Sequence, residues 1–219
     1  MKVLLFAFLI VSSGAFAQVT SPLFTDSRGK IIKSTTYDDV SGSPYLLEKW
    51  EKGSVKTGSG KTFSDLNLKY DIAGERLLYL NKQGDSMTFA EPIVAFELNS
   101  EKSAVPLKFV NSLPKADNVK ENTFLQIIAT GKSSLYKKYN VAIIESKGYG
   151  AQSTKRLFNP SVTYYVLKDG VLQKINLSKK SIASTFPSKE KEILDFLKVQ
   201  KIDFKNDLDL QKLFDVINQ

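Results

Sequence analysis

Between about residue 50 and residue 177 apolar and polar side chains alternate with a period of two. Leu66, Leu68, Tyr70 and Ile72 take one parity, and Asn67, Lys69 and Asp71 take the other. Successive side chains of an extended chain point to opposite faces, so such a segment reads as a strand with one wet face. Phe63 has the wrong parity for its run, which predicts a bulge near Ser64 and Asp65. The same alternation recurs in Met87/Phe89, Val94/Phe96/Leu98, Val105/Leu107/Phe109, Tyr139/Val141/Ile143, Val162/Tyr164/Val166 and Val171/Ile175/Leu177.

Turn chemistry fills the gaps. Asp169-Gly170 is a two-residue hairpin signal, because both central positions of a type I′ turn need positive φ. Gly58-Ser59-Gly60, Gln83-Gly84-Asp85, Gly148-Tyr149-Gly150 and Asn159-Pro160 mark further reversals or loops. No ten-residue helical period separates the strands, so neighbours should pair antiparallel rather than through βαβ crossovers. After Leu177 the period changes. Ser188 reads as the N-cap of a helix carrying Ile193, Leu194, Phe196 and Leu197, and Asn206 as the cap of a second with Leu210, Leu213, Phe214 and Ile217. A shorter helical turn is expected over 178–185. The fold class is therefore mainly β (α+β): an antiparallel β-meander forming an open barrel or sandwich, with a C-terminal helical hairpin.

Residues 1–17 read apart from the rest. Lys2, the apolar run Val3 to Val11, and Ala15-Phe16-Ala17 follow the three-part layout of a secretory signal peptide, with cleavage expected after Ala17. The apolar run is shorter than the ~20 residues a spanning helix needs. The expected division is a signal peptide over 1–17, an antiparallel β domain over 18–177, and a helical segment over 178–219 packed on it. The expected location is periplasmic or secreted, with no transmembrane segment in the mature chain.

The sequence contains neither Cys nor His. That removes disulfides, imidazole-based catalytic triads, thiol nucleophiles and the zinc or haem sites those residues build. No cofactor and no metal is expected. Thr57-Gly58-Ser59-Gly60-Lys61-Thr62 resembles the end of a P-loop, but Val55 stands where the first Gly belongs and a strand rather than a helix follows. Lys56-Thr57-Gly58 and the Ser-x-x-Lys pairs at Ser27, Ser112, Ser134 and Ser188 fail the order and context that a penicillin-binding enzyme requires. Hydrolysis could then run only through paired carboxylates. Asp38-Asp39, Asp65, Asp71, Asp207 and Asp209 all read as turn, strand-end or helix-start residues.

Charge is uneven. Residues 102–180 hold 14 basic and 4 acidic residues, while both flanks are near neutral. Lys132, Lys137, Lys138, Lys147, Lys155 and Arg156 are interleaved with aromatics including Tyr136, and this set, Tyr136 included, is the candidate site for an anionic ligand. The same residues also fit a solvated sheet face, since Lys blunts strand edges and Tyr packs across strands. Nucleic acid is not expected.

Three strings carry a resemblance: Gly42-Ser43-Pro44-Tyr45-Leu46, Trp50-Glu51-Lys52-Gly53-Ser54-Val55, and Phe63 through Asp71, with a closing Lys201-Ile202-Asp203-Phe204 between two short helices. Together they are similar to a family of small secreted proteins from Bacteroidetes bacteria. The resemblance lends no catalytic residues; it implies export, an envelope setting and a mainly β fold. The functional expectation is a non-catalytic cell-envelope protein binding an anionic envelope polymer or a lipid headgroup. The alternatives are a carboxylate-dependent hydrolase, or an assembly factor that docks a protein partner through a strand edge.

Overall fold

The computed structural model describes residues 37–101, 103, 105–147 and 154–219. The expected signal peptide, the Ser27/Lys30 pair and the Gly148-Tyr149-Gly150 loop lie outside them. Among the described residues eleven strands form one sheet: β1 (Val40–Ser41), β2 (Glu51–Thr57), β3 (Thr62–Asp71), β4 (Arg76–Leu80), β5 (Ser86–Thr88), β6 (Ile93–Asn99), β7 (Leu107–Val110), β8 (Leu125–Ala129), β9 (Ser133–Ser146), β10 (Lys155–Lys168) and β11 (Val171–Ile175). Three helices close the chain: α1 (Lys179–Thr185), α2 (Glu190–Val199) and α3 (Asp207–Asn218). The protein is mainly β with a C-terminal helical unit, and its sheet does not close.

The strand order is β1-β10-β9-β8-β7-β6-β2-β3-β4-β5, with β11 beside the end of β10. Two antiparallel meanders, β2 to β5 and β6 to β11, are joined where β2 pairs with β6. The short β1 adds one parallel pair, Val40 opposite Arg156. Asp169 and Gly170 both have positive φ, 51° and 76°, and join β10 to β11 as a primed turn. The β2/β3 register shifts past Ser64 and Asp65, and Asp65 sits at φ 60°. The P-loop-like string is the β2–β3 hairpin: the Ser59 N–H donates to the Glu91 carboxylate at 3.0 Å and the Gly58 N–H to the Pro92 carbonyl at 2.8 Å.

Strand pairing alone would place β3 and β7 three spacings apart, about 14 Å. Yet the Tyr70 and Phe109 ring centroids are 5.8 Å apart, and Tyr70 also meets Phe124 at 6.0 Å. The sheet must therefore curl steeply, and it buries Val55, Leu68, Tyr70, Phe96, Leu98 and Phe109 against itself. The β8–β11 half takes the other route. Ile128, Leu135, Val166 and Ile175 are covered by Ile182 of α1, Ile193 and Leu197 of α2, and Leu210, Leu213 and Phe214 of α3. On the opposite face the β7–β8 connection covers Leu125, Tyr136, Tyr165 and Leu172.

Helix starts differ from expectation in one place. Asn206 caps α3, accepting from the N–H groups of Leu208 and Asp209. Ser188 does not cap α2; it lies inside a 3₁₀ turn, Pro187–Lys189, that runs straight into the helix, so the first α2 amides are reached from that turn.

Candidate functional site

The candidate residues sit along the β9–β10 hairpin and its flanks. β9 and β10 are each 14 residues long, so the hairpin extends roughly 45 Å. Lys132 is exposed in the β8–β9 turn at one end. Lys147 and Lys155 are exposed at the other end, beyond and opposite Ser146. A single small anion therefore meets Lys132 or the Lys147/Lys155 pair, never both.

Between those ends, alternation puts neighbours on opposite faces. Lys137 shares its face with Leu135 and Tyr139; its ammonium binds the two oxygens of Asp207 in the first turn of α3, at 2.8 and 3.1 Å. The same ammonium lies 5.3 and 5.8 Å from the Tyr139 and Tyr164 ring centres. Gln126 completes the group, donating to Asp207 at 3.3 Å and accepting from the Tyr139 hydroxyl at 2.6 Å. Gln126, Lys137 and Asp207 line a cleft of about 320 Å³. Lys137, Asp207, Gln126 and the Tyr139 hydroxyl answer one another, so the network joins helix to sheet rather than presenting charge to a ligand. Burial pushes the Tyr164 phenol up to about 12 and raises that of Tyr139, with the Asp207 carboxylate adding to both.

Lys138 faces the other way. Its ammonium donates to the Asn118 carbonyl at 2.6 Å and pairs with Glu75 at 3.4 Å, leaving the residue only 8% exposed. Tyr136 is buried beside it in the cluster under the β7–β8 connection, and burial raises its phenol. Arg156 pairs with Asp39 across the β1/β10 junction. Lys168 lies over the Phe186 ring at 5.6 Å. Of the seven candidates, Lys132 lies alone at one end of the hairpin, Lys147, Lys155 and Arg156 lie at the other, and Tyr136, Lys137 and Lys138 are turned to internal contacts.

What the sequence reading missed is the apolar company of the first group. The outer half of the hairpin pairs Leu157 with Ile144 and Phe158 with Ile143. Ile143 and Ile144 are each 42% exposed and Val162 47%. Phe158 alone is covered, by the edge of the Tyr37 ring at 5.4 Å. Beyond Lys137 no described strand pairs with the outer edge of β9. The unbroken Val141-Ala142-Ile143-Ile144 run was the available signal, because a strand with one wet face should not keep four apolar residues in sequence.

Carboxylates offer less. Asp71 is fully buried and accepts from the Gly74 N–H and Arg76 Nε, each at 2.8 Å, and from the Tyr37 hydroxyl at 3.2 Å. Asp209 accepts from the Asp203 N–H at 3.1 Å and from Lys212 at 3.0 Å, contacts that hold its carboxyl below the usual range. Among the described residues no group of His, Cys, Asp or Glu is arranged to hold a metal ion, and no helix is long and apolar enough to cross a membrane. The chain matches no family model, no curated protein and no solved structure.

Proposed function

We propose that the protein is an exported, non-catalytic component of the bacterial cell envelope that binds an anionic amphiphile, a lipid headgroup with its adjoining apolar part, through the outer half of the β9–β10 hairpin. The observation that carries this reading is that exposed apolar and basic residues share the outer half of one strand pair: Ile143 and Val162 on one face, Ile144 on the other, and Lys147 and Lys155 at the end. Cations next to an anionic surface contribute about 1 kcal/mol each, and exposed aliphatic groups add burial on contact. Two cations and a few aliphatic side chains give a weak, reversible, salt-sensitive attachment rather than an anchor. The resemblance to secreted Bacteroidetes proteins and the signal-peptide layout of residues 1–17 support the envelope setting.

Vesicle co-sedimentation tests it. The protein should pellet with phosphatidylglycerol vesicles, less so as salt rises, and little with phosphatidylcholine alone. Lys147→Glu with Lys155→Glu should weaken binding about tenfold, and Ile143→Ser with Ile144→Ser should weaken it on anionic vesicles at every salt concentration. Equal binding to both vesicle types, or binding indifferent to both double variants, overturns it. A second reading, a protein partner adding a strand along β9, is favoured by the edge from 138 to 146 that no described strand pairs. That reading requires association that survives the charge reversals and high salt.

A further inference from the structure

Away from the hairpin arm, where β4 and β6 approach the β7–β8 connection, two adjoining hollows of about 390 and 550 Å³ share Ile93, Asn111 and Asn122, and so form one open groove. The size falls in the range of small-ligand sites. Its wall is Leu77, Phe89, Ile93 and Phe124, continuous with the curled half of the core; Phe89 is half-buried, its ring tilted 45° against Tyr79 with centroids 4.7 Å apart.

The charged groups of the rim are answered from within the protein. Arg76 Nε is held by Asp71 at 2.8 Å, Glu75 pairs with Lys138 at 3.4 Å, and Glu91 accepts the Ser59 N–H at 3.0 Å. In the outer hollow Lys115 is offset by Glu121. Neither sign prevails, so nothing in the groove selects an ion. Two carboxamides remain. Asn111 spends one N–H on the Ile93 carbonyl at 2.9 Å, which fixes its plane, and Asn122 is exposed on the connection. A carboxamide donates and accepts side by side, which is the pattern a hydroxyl group satisfies in return. An acyl chain would leave both unmatched against apolar surface.

We infer that this groove binds a neutral saccharide, with the apolar face of a sugar ring laid on Phe89 and its hydroxyl edge bonded to Asn111 and Asn122. The inference stands apart from the hairpin reading and uses none of its residues. Glu91 on the rim is held below the usual range by the Ser59 hydroxyl and amide, the opposite direction to the raised-pKa acid a glycosidase needs.

Saturation-transfer NMR on the purified protein tests this with cellotetraose, xylotetraose, maltotetraose and chitotetraose as neutral probes and tetragalacturonate as the charged counterpart. At least one neutral probe should receive saturation, strongest at its ring C–H protons. Phe89→Ala and the exposed Asn122→Ala should each weaken that binding by about three- to tenfold. Lys132→Ala, and Lys147→Glu with Lys155→Glu, should leave it unchanged, so this site and the hairpin site fail independently. Absence of transfer to all four neutral probes, stronger transfer to tetragalacturonate, or undiminished binding in both groove variants overturns the inference.

Discussion

Asp65 and Asp71 are the same residue type on the same strand, and they meet opposite fates. Asp65 sits exposed at the bulge, bridged to Lys52 at 3.0 Å in open solvent. Asp71 is buried and joins the β3–β4 corner to Arg76 and to Tyr37 of the segment before β1. Removing one partner of a buried pair leaves the other uncompensated, which costs several kcal/mol. Arg76 keeps some access to water, its side chain being 30% exposed, so Asp71→Ala should cost about 3 kcal/mol in urea unfolding, while Asp65→Asn stays within about 0.5 kcal/mol. An equal loss at both positions would contradict the assignment. Neighbouring residues cannot foretell this difference, because Tyr37 lies far along the chain and reaches Asp71 only once the sheet has curled. Lys137 and Lys138 teach the same lesson. Their opposite facing was legible from alternation, but their partners Asp207 and Glu75 arrive from α3 and from the β3–β4 turn.

Local elements were the legible part, for a physical reason: alternation, turn residues and caps are short-range properties. The Asp169-Gly170 turn, the Ser64/Asp65 bulge and the Asn206 cap all stand where residue chemistry put them. Gly170, at φ 76°, should lose about 1–2 kcal/mol on substitution by Ala. Asn206→Ala should cost about 1 kcal/mol, whereas Ser188→Ala, at a serine that caps nothing, should be near neutral by thermal melting; similar losses at both would restore Ser188 as a cap. Gly53 is the sterner case. In the middle of β2, between β3 and β6, an added Cβ would lie 2.1 Å from the Glu97 carbonyl oxygen and 2.9 Å from Leu68 Cδ1. The Glu97 carbonyl is held in the β6 ladder and cannot yield without breaking it, so Gly53→Ala should destabilise by about 3 kcal/mol or prevent folding. A variant that melts within a few degrees of the parent would show that β2 lies less tightly in the sheet. The sequence marks Gly53 only as part of a recognisable string, and the crowding that requires it comes from β6.

At the scale of the molecule, the insertion of β2 beside β6, the parallel β1 and the curl of the sheet are long-range outcomes that no local period encodes. They produce three apolar clusters on one continuous sheet, with tyrosines in or against each. Tyr70 is buried in the curled half, half-buried Tyr139 packs against the same cluster, and half-buried Tyr164 packs against the helix-covered one. Burial is the first cause of the raised phenol in all three, carrying Tyr164 to about 12 from an ordinary value of 10.0. The charged form is the phenolate, so the native state holds these protons more tightly than the unfolded chain. Below pH ~10 both states keep them and the stability is fully present; as pH rises toward ~12 the unfolded chain ionises first and the native advantage drains away. Because one sheet links these clusters, the loss should come as one transition. Phenolate absorbance followed with far-ultraviolet circular dichroism should therefore show buried tyrosines ionising in step with unfolding above pH ~10, and Tyr164→Phe should move that alkaline midpoint upward. Complete ionisation near the ordinary value with the dichroism unchanged would mean that these phenols face water, and the packing of Tyr70, Tyr139 and Tyr164 against the apolar clusters would be wrong.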